Sequence, residues 1–222
     1  IIKFADVENA EHFSDQNVGR LEYAYHRMAV ESGITMMESK LHSDGARAHF
    51  MTRRFDRIEN TKIHAHTFCG IAHQDRNPPG NTEYETLFLT ARRLGLSQVS
   101  LTELYRRMVF NILARNQDDH SKNHAFLMDT DGSWALAPAY DITFSFKESS
   151  RWVDKQQMRC NGKRDGFTMI DLIEAAKAAD VRRPDRIISD VKGGLEKWRK
   201  LADDAGLQKG QAEAVETAFR RI

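Results

Sequence analysis

The sequence predicts an α+β chain in two lobes, a small β-containing part up to about residue 52 and a mainly helical part from residue 53 to 222. Three observations predict it. Short runs rich in β-branched and aromatic residues, Ile1–Phe4, Ile34–His42 and Ala46–Thr52, crowd the first quarter of the chain. Beyond them, apolar residues recur at helical spacing, as in Leu101, Leu104, Met108 and Ile112. A composition of 41% apolar and 29% charged residues over 222 positions supplies a core and an ordinary polar surface.

Taken in order, Ile1-Ile2-Lys3-Phe4 reads as a buried strand with one lysine in it, followed by a polar, acidic connection from Asp6 to Asn17. Arg20 to Ser32 reads as an amphipathic helix with Leu21, Tyr25, Met28 and Ala29 on one face, stopped by Gly33. The strands Ile34–His42 and Ala46–Thr52 are joined by Ser43-Asp44-Gly45, and the charged segment Arg53–Arg57 leaves the second as a hinge. Ile63 to Asp75 carries three histidines, and Arg76–Asn81 is a loop. Thr82 is placed to cap a helix ending at Gly95, and Ser100 to cap the next. His124–Met128 and Trp134–Leu136 form a hairpin, and Thr143–Gly166 is irregular. Three helices close the chain: Thr168–Ala179, Pro184–Ala205 and Gln208–Arg220.

Composition narrows the function classes. A formal charge of +1 argues for no direct nucleic-acid or membrane partner. No apolar run approaches the ~20 residues of a membrane span. Cys69 and Cys160 are read as reduced thiols, which places the chain in the cytoplasm. The sequence opens on Ile1 inside an apparent strand, so part of a domain is expected to precede it.

The chemistry concentrates in Asn116-Gln117-Asp118-Asp119-His120-Ser121-Lys122-Asn123 and in Ala137-Pro138-Ala139-Tyr140-Asp141. One carboxylate, Asp118, lies five residues before an amide, Asn123, and a second carboxylate, Asp141, lies beyond a short hairpin. Protein-kinase catalytic loops share this layout: an Asp that takes the proton of the attacking hydroxyl, an Asn five residues on, and a downstream Asp, the last two on Mg²⁺. Asp118 rather than Asp119 has that spacing to Asn123. Hard oxygens converging from two segments suit such a cation.

These segments, with Ile2-Lys3-Phe4 and Thr52-Arg53-Arg54-Phe55-Asp56-Arg57, resemble in order and spacing the HipA family of bacterial serine/threonine kinases, the toxins of toxin–antitoxin pairs. The resemblance implies a two-lobed, protein-kinase-like fold with an incomplete N-lobe. It implies that Lys3 holds the nucleotide phosphates, that Arg53, Arg54 and Phe55 lie along the adenine hinge, and that Asp118 is the catalytic base. His120, Ser121 and Lys122 would line the phosphate side of the loop, Asn123 and Asp141 would hold Mg²⁺, and Tyr140 would pack beside them. ATP and Mg²⁺ are the implied cofactors. A helix-turn-helix antitoxin is the implied partner, with DNA reached only through it. A translation-related protein, such as an aminoacyl-tRNA synthetase, is the implied substrate. The family's phosphate-covering loop, with its regulatory serine, would lie before Lys3, so the sequence is expected to be a portion of a kinase that alone binds ATP poorly. Asp141 is followed by Ile142-Thr143 rather than Phe-Gly, and Arg115-Asn116-Gln117 replaces the His-Arg that usually precedes the base, so ordinary activation-loop logic is not carried over.

Other readings stand beside this one. Glu22 is read as a favourable charge near a helix N-terminus, with pairing to Lys3 as the alternative. His64-Ala65-His66, with His73 and Cys69, is read as structural, because zinc sites show clearer spacing. A metal-dependent hydrolase would use His64, His66, His120 and Asp141. A catalytically silent, kinase-shaped interaction module is the remaining alternative. The basic stretch of Trp152, Lys155, Arg159, Lys163 and Arg164 is read as a solvated loop, with docking as its functional alternative.

Overall fold

A computed structural model describes residues 1–4, 17–45 and 47–222. The acidic connection that begins at Asp6, apart from Asn17, and the expected strand start at Ala46 lie outside the described residues. The first sheet is antiparallel with β1 (Ile2–Lys3) and β2 (Ser39–Asp44) on either side of β3 (Arg47–Thr52). Lys3 and Leu41 thus both stand opposite Phe50. Helix α1 (Val18–Glu31) lies between them in sequence and packs against β3. Its first turn touches the strand: a Cβ added at Gly19 would sit 2.1 Å from the carbonyl oxygen of Ala48.

The second strand is shorter than expected. Pairing begins only at Ser39, because the preceding stretch bonds elsewhere: Met36 forms a parallel bridge to Ala139, whose amide donates to the Thr35 carbonyl across 2.9 Å. A short hairpin, β4 (Arg57–Ile58) and β5 (Thr61–Lys62), follows β3. The histidine segment forms β6 (His64–Thr67), and α2 (Phe68–Ile71) is a single turn capped by Thr67. Helices α3 (Tyr84–Arg93) and α4 (Gln98–Leu113) come next. Glu83, not Thr82, occupies the N-cap of α3. Ser97, not Ser100, caps α4 by accepting from the Ser100 amide, because the chain turns helical three residues earlier than the apolar stripe begins.

Strands β7 (Ala125–Met128) and β8 (Trp134–Leu136) extend from β6 in the order β6-β7-β8. The remaining helices are α5 (Met169–Ala178), α6 (Pro184–Glu196), α7 (Trp198–Asp204) and α8 (Lys209–Ala218). The single helix expected from Pro184 to Ala205 is thus two, parted at Lys197. Gly193 and Gly194 weaken that end of α6. The break turns Trp198 into the core, where its indole donates to the Ala212 carbonyl (2.8 Å) and its ring meets Tyr25 edge-on at 5.2 Å. Tyr25, fully buried on α1, donates to the Ala114 carbonyl (2.7 Å) at the end of α4. Helix α1 therefore packs on the sheet and on α6 and α7, and fixes both to the end of α4.

Candidate active site

The loop from Ala114 to His124 leaves α4 and enters β7. Its backbone is tied to the segment after Asp141: the Gln117 amide donates to the Ser145 carbonyl (3.1 Å), and the Ser145 amide to the Arg115 carbonyl (3.0 Å). Asp119 points inward and is buried, accepting from the Tyr84 hydroxyl (2.6 Å) and the Gln157 amide (2.7 Å). Burial raises its carboxyl above the usual range, and these donors oppose that. It anchors the loop, while its neighbour Asp118 faces outward with its side chain 42% exposed.

Asn123 closes the loop. Its side-chain amide donates to the Asp118 carbonyl across 2.9 Å, in a single 3₁₀ turn over Ser121–Asn123. Burial, and then the charge of Asp141, push the Asp118 carboxyl up to about 6, while Arg76 and Lys3 pull the other way. Arg76, from the loop before α3, was not singled out by sequence reasoning, and only its place in an Arg-Asn-Pro-Pro loop marked it. His120 Nε2 lies 3.8 Å from Asp118 Oδ1, and burial and Arg76 lower its pKa, so a neutral ring rather than a cation stands beside the carboxylate.

Asp141 sits across from this loop. Buried Arg107 donates to the Ala137 carbonyl (3.0 Å) and bonds Glu103 (2.9 Å), which fixes the segment leading to it. Asp141 has φ +57°, in the left-handed region that Asp tolerates better than most residues. Lys3 Nζ donates to Asp141 Oδ1 and, at 2.7 Å, to Glu22 Oε1. The pairing of Glu22 with Lys3, set second in the sequence reading, is the one observed. Its signal was an acid on the buried face of α1 beside Leu21 and Tyr25. Burial raises Glu22 to about 7 against the pull of Lys3. Burial works against the charge on Lys3, yet Glu22 and Asp141 outweigh it and hold the amine above its usual range.

Lys3, Glu22 and Asp141 form the polar end of a cavity of about 370 Å³ between the first sheet and the β6–β7 sheet. Its walls are largely apolar, with Met36, Phe50, Ala125 and Ile142, and Arg53, Arg54 and Phe55 run along one side. Tyr140 lines it too: its ring lies 5.4 Å from that of Phe55, and its hydroxyl donates to the Lys122 carbonyl (2.5 Å). Arg54 is engaged by Asp56 through two bonds (2.7 and 2.5 Å). His66 also lines the cavity, a contact the sequence reading did not foresee.

Asp118, Asn123, His120 and Lys122 lie beyond this cavity's lining; Asn123 and Asp141 share a small recess next to it. Ser121 is not brought to either: it is fully buried, and its hydroxyl donates to the Gln74 carbonyl (2.9 Å). Among the described residues, no three His, Cys, Asp or Glu side chains group as a metal site, so the hydrolase set of His64, His66, His120 and Asp141 is not assembled.

The family model of the HipA-like C-terminal domain matches residues 1–219. Two relatives from Sinorhizobium fredii (strain NGR234) carry the names "Putative kinase Y4dM", 29% identical over 116 residues, and "Putative kinase Y4mE", 26% identical over 157 residues. The matched stretches cover 50% and 65% of this chain but only 26% and 36% of those proteins. Among solved structures, Shewanella oneidensis MR-1 HipA, in a complex with HipB and operator DNA, superposes with a TM-score of 0.71 at 16% identity over 97% of this chain and 55% of that one. The Helicobacter pylori proinflammatory kinase CtkA gives 0.55 at 12% identity, over 97% of this chain and 88% of that one. The chain belongs to the HipA-like C-terminal domain family and has the HipA kinase fold.

Proposed function

We propose that this chain carries the phosphotransfer site of an ATP- and Mg²⁺-dependent protein serine/threonine kinase of the HipA type. The observation that carries the reading is the convergence on Asp141, which accepts from Lys3, itself also bonded to Glu22 of α1, while sharing a recess with Asn123, whose side chain is bonded to the Asp118 carbonyl. In this reading the adenine enters the apolar part of the cavity beside Arg53, Arg54 and Phe55, and Lys3 holds the phosphates. Tyr140 closes the wall. His120 and Lys122 flank the loop on its phosphate side.

The residues fit a hard cation. Asn123 commits its N–H to the Asp118 carbonyl and leaves Oδ1 as an acceptor, and Asp141 keeps one oxygen beyond its Lys3 contact. Mg²⁺ held there by Asn123 and Asp141 would neutralise charge on the phosphate oxygens. Asp118 faces outward, where a serine or threonine hydroxyl can approach, and takes its proton as the hydroxyl oxygen bonds to the γ-phosphorus and ADP departs with the broken P–O bond. A carboxyl near 6 is mostly ionised at neutral pH yet basic enough to accept that proton.

The toxin role, and a helix-turn-helix antitoxin that brings DNA only indirectly, are part of the proposal and are supported by the Shewanella HipA complex. A protein substrate tied to translation and a cytoplasmic setting complete it. Among the described residues no helix is long and apolar enough to cross a membrane. The chain spans roughly a quarter to a third of the curated relatives it matches and 55% of Shewanella HipA, so these roles belong to the whole protein.

The test is γ-phosphate transfer from labelled ATP with Mg²⁺, by the full-length protein in cell lysate, beside Asp118→Asn. Labelling should fall by at least ~10²-fold in the variant, the effect of removing a positioned base. Equal labelling in both, or none in either, favours the catalytically silent interaction module.

A further inference from the structure

We propose that Arg220 is a positioning residue for the catalytic loop, so that the segment after α8 is part of the phosphotransfer machinery. The inference rests on the kinase reading above. The matched family stretch ends at residue 219, and neither the site geometry nor the sequence motifs drew on Arg220.

Its side chain is only 6% exposed, and it lies behind the loop rather than in the cavity. One terminal nitrogen of the guanidinium donates to the Ile112 carbonyl (2.7 Å) and Gln156 Oε1 (2.9 Å). The other donates to Gln117 Oε1 (2.7 Å) and Asp165 Oδ1 (2.8 Å). The Arg220 amide adds a bond to the Leu113 carbonyl (2.9 Å). One planar cation thus joins the end of α4, the residue before Asp118, and the segment after Asp141.

Its partners pass the constraint on. Gln156 donates to the Asn116 carbonyl (3.1 Å), and Gln117 donates to the Val153 carbonyl (2.9 Å). Gln117 Oε1 accepts from Arg115 as well (2.9 Å), so the side chain just before the base and the backbone at Asn116 are held by this network. A lysine could not reproduce it, because a point charge lacks the fixed fork that meets four acceptors at once. Asp118 itself makes no contact with Arg220, which therefore acts on the placement of the base and leaves the nucleotide cavity alone.

The experiment compares the wild-type full-length protein with Arg220→Ala and Gln117→Met. It measures kcat, the KM for ATP, thermal melting, and recovery of Arg220→Ala by added guanidinium against a sodium chloride control. For Arg220→Ala we expect kcat to fall about 10-fold or more with the KM for ATP within about threefold, since small misplacement of a catalytic group is costly while binding is untouched. Guanidinium should restore part of the rate, and Gln117→Met should lose kcat in the same pattern. A wild-type rate in both variants overturns the inference, as does joint loss of kcat and ATP affinity without recovery, which marks a merely structural residue. Should Arg220→Ala not fold, Gln117→Met decides: a kcat-only loss supports the inference and a wild-type rate overturns it. Absence of transfer by the wild-type protein overturns the kinase reading and this inference with it, whereas active wild type matched by Arg220→Ala overturns this inference alone.

Discussion

The side-chain amide of Asn123 and the backbone carbonyl of Asp118 are hydrogen-bonded at 2.9 Å, which ties the residue sharing a recess with Asp141 to the backbone that carries the outward carboxylate. In the proposed reading, Asn123→Asp keeps an oxygen for Mg²⁺ but replaces the donor with an acceptor facing the Asp118 carbonyl. Transfer should fall by roughly 10-fold or more, as expected when a preorganised polar contact is lost, and the Mg²⁺ requirement should shift. A Mg²⁺ titration at fixed ATP reads both effects.

Lys3 and Glu22 should separate on mutation. Lys3→Met removes the cation at the polar end of the cavity, and transfer should fall about 10²-fold or more with weakened ATP binding. The variant should still fold, because Glu22, already raised to about 7 by burial, then moves higher and takes up a proton at neutral pH. Glu22→Gln leaves Lys3 its Asp141 contact, so its loss of transfer should be smaller. Calorimetric ATP binding and initial rates on the two variants check the order.

The rate should titrate with Asp118. Its carboxyl lies near 6, so kcat/KM should rise with pH, reach half its plateau near that value, and flatten above about pH 7. Arg76 holds this carboxyl down, and Arg76→Gln should move the midpoint upward. A midpoint unchanged in Arg76→Gln would detach the rate from this carboxylate.

Stability has its own weak point at Gly19. A methyl there would meet the Ala48 carbonyl oxygen at 2.1 Å, and backbone on both sides leaves no easy relief. Gly19→Ala should cost about 1–3 kcal/mol, the range for overpacking. The melting temperature should drop by roughly 2–4 °C for each kcal/mol in a chain of this size. Thermal unfolding followed by circular dichroism measures it.

Much of this site was legible in the sequence because its chemistry is local. The five-residue interval from Asp118 to Asn123 is one loop, and the choice of Asp118 over Asp119 followed from that interval. In the structure Asp119 is taken up by Tyr84 and Gln157, whereas Asp118 is the partly exposed member of the pair. What could not be read was long-range. The pairing of Glu22 with Lys3 spans 19 residues, and Ser121 resembles a phosphate-side hydroxyl until the Gln74 carbonyl claims it from a separate loop. Strand β6 was obscured because His64 and His66 carry no apolar alternation. It exists because its backbone pairs with β7. Ile34–Glu38 had strand composition, but the Thr35 carbonyl and Met36 are taken by Ala139, a partner more than a hundred positions away.

Asp141 stands at φ +57°, and its backbone makes a demand separate from its carboxylate. Glycine, asparagine and aspartate occupy that region most readily, since a Cβ without a short polar tip is disfavoured there. The substitutions open to this position therefore form a narrow set, and the two demands can be uncoupled within it. Asparagine preserves the turn and removes the charge, and glycine preserves the turn and removes the side chain altogether. Alanine, the usual choice in a scan, would disturb both and report neither.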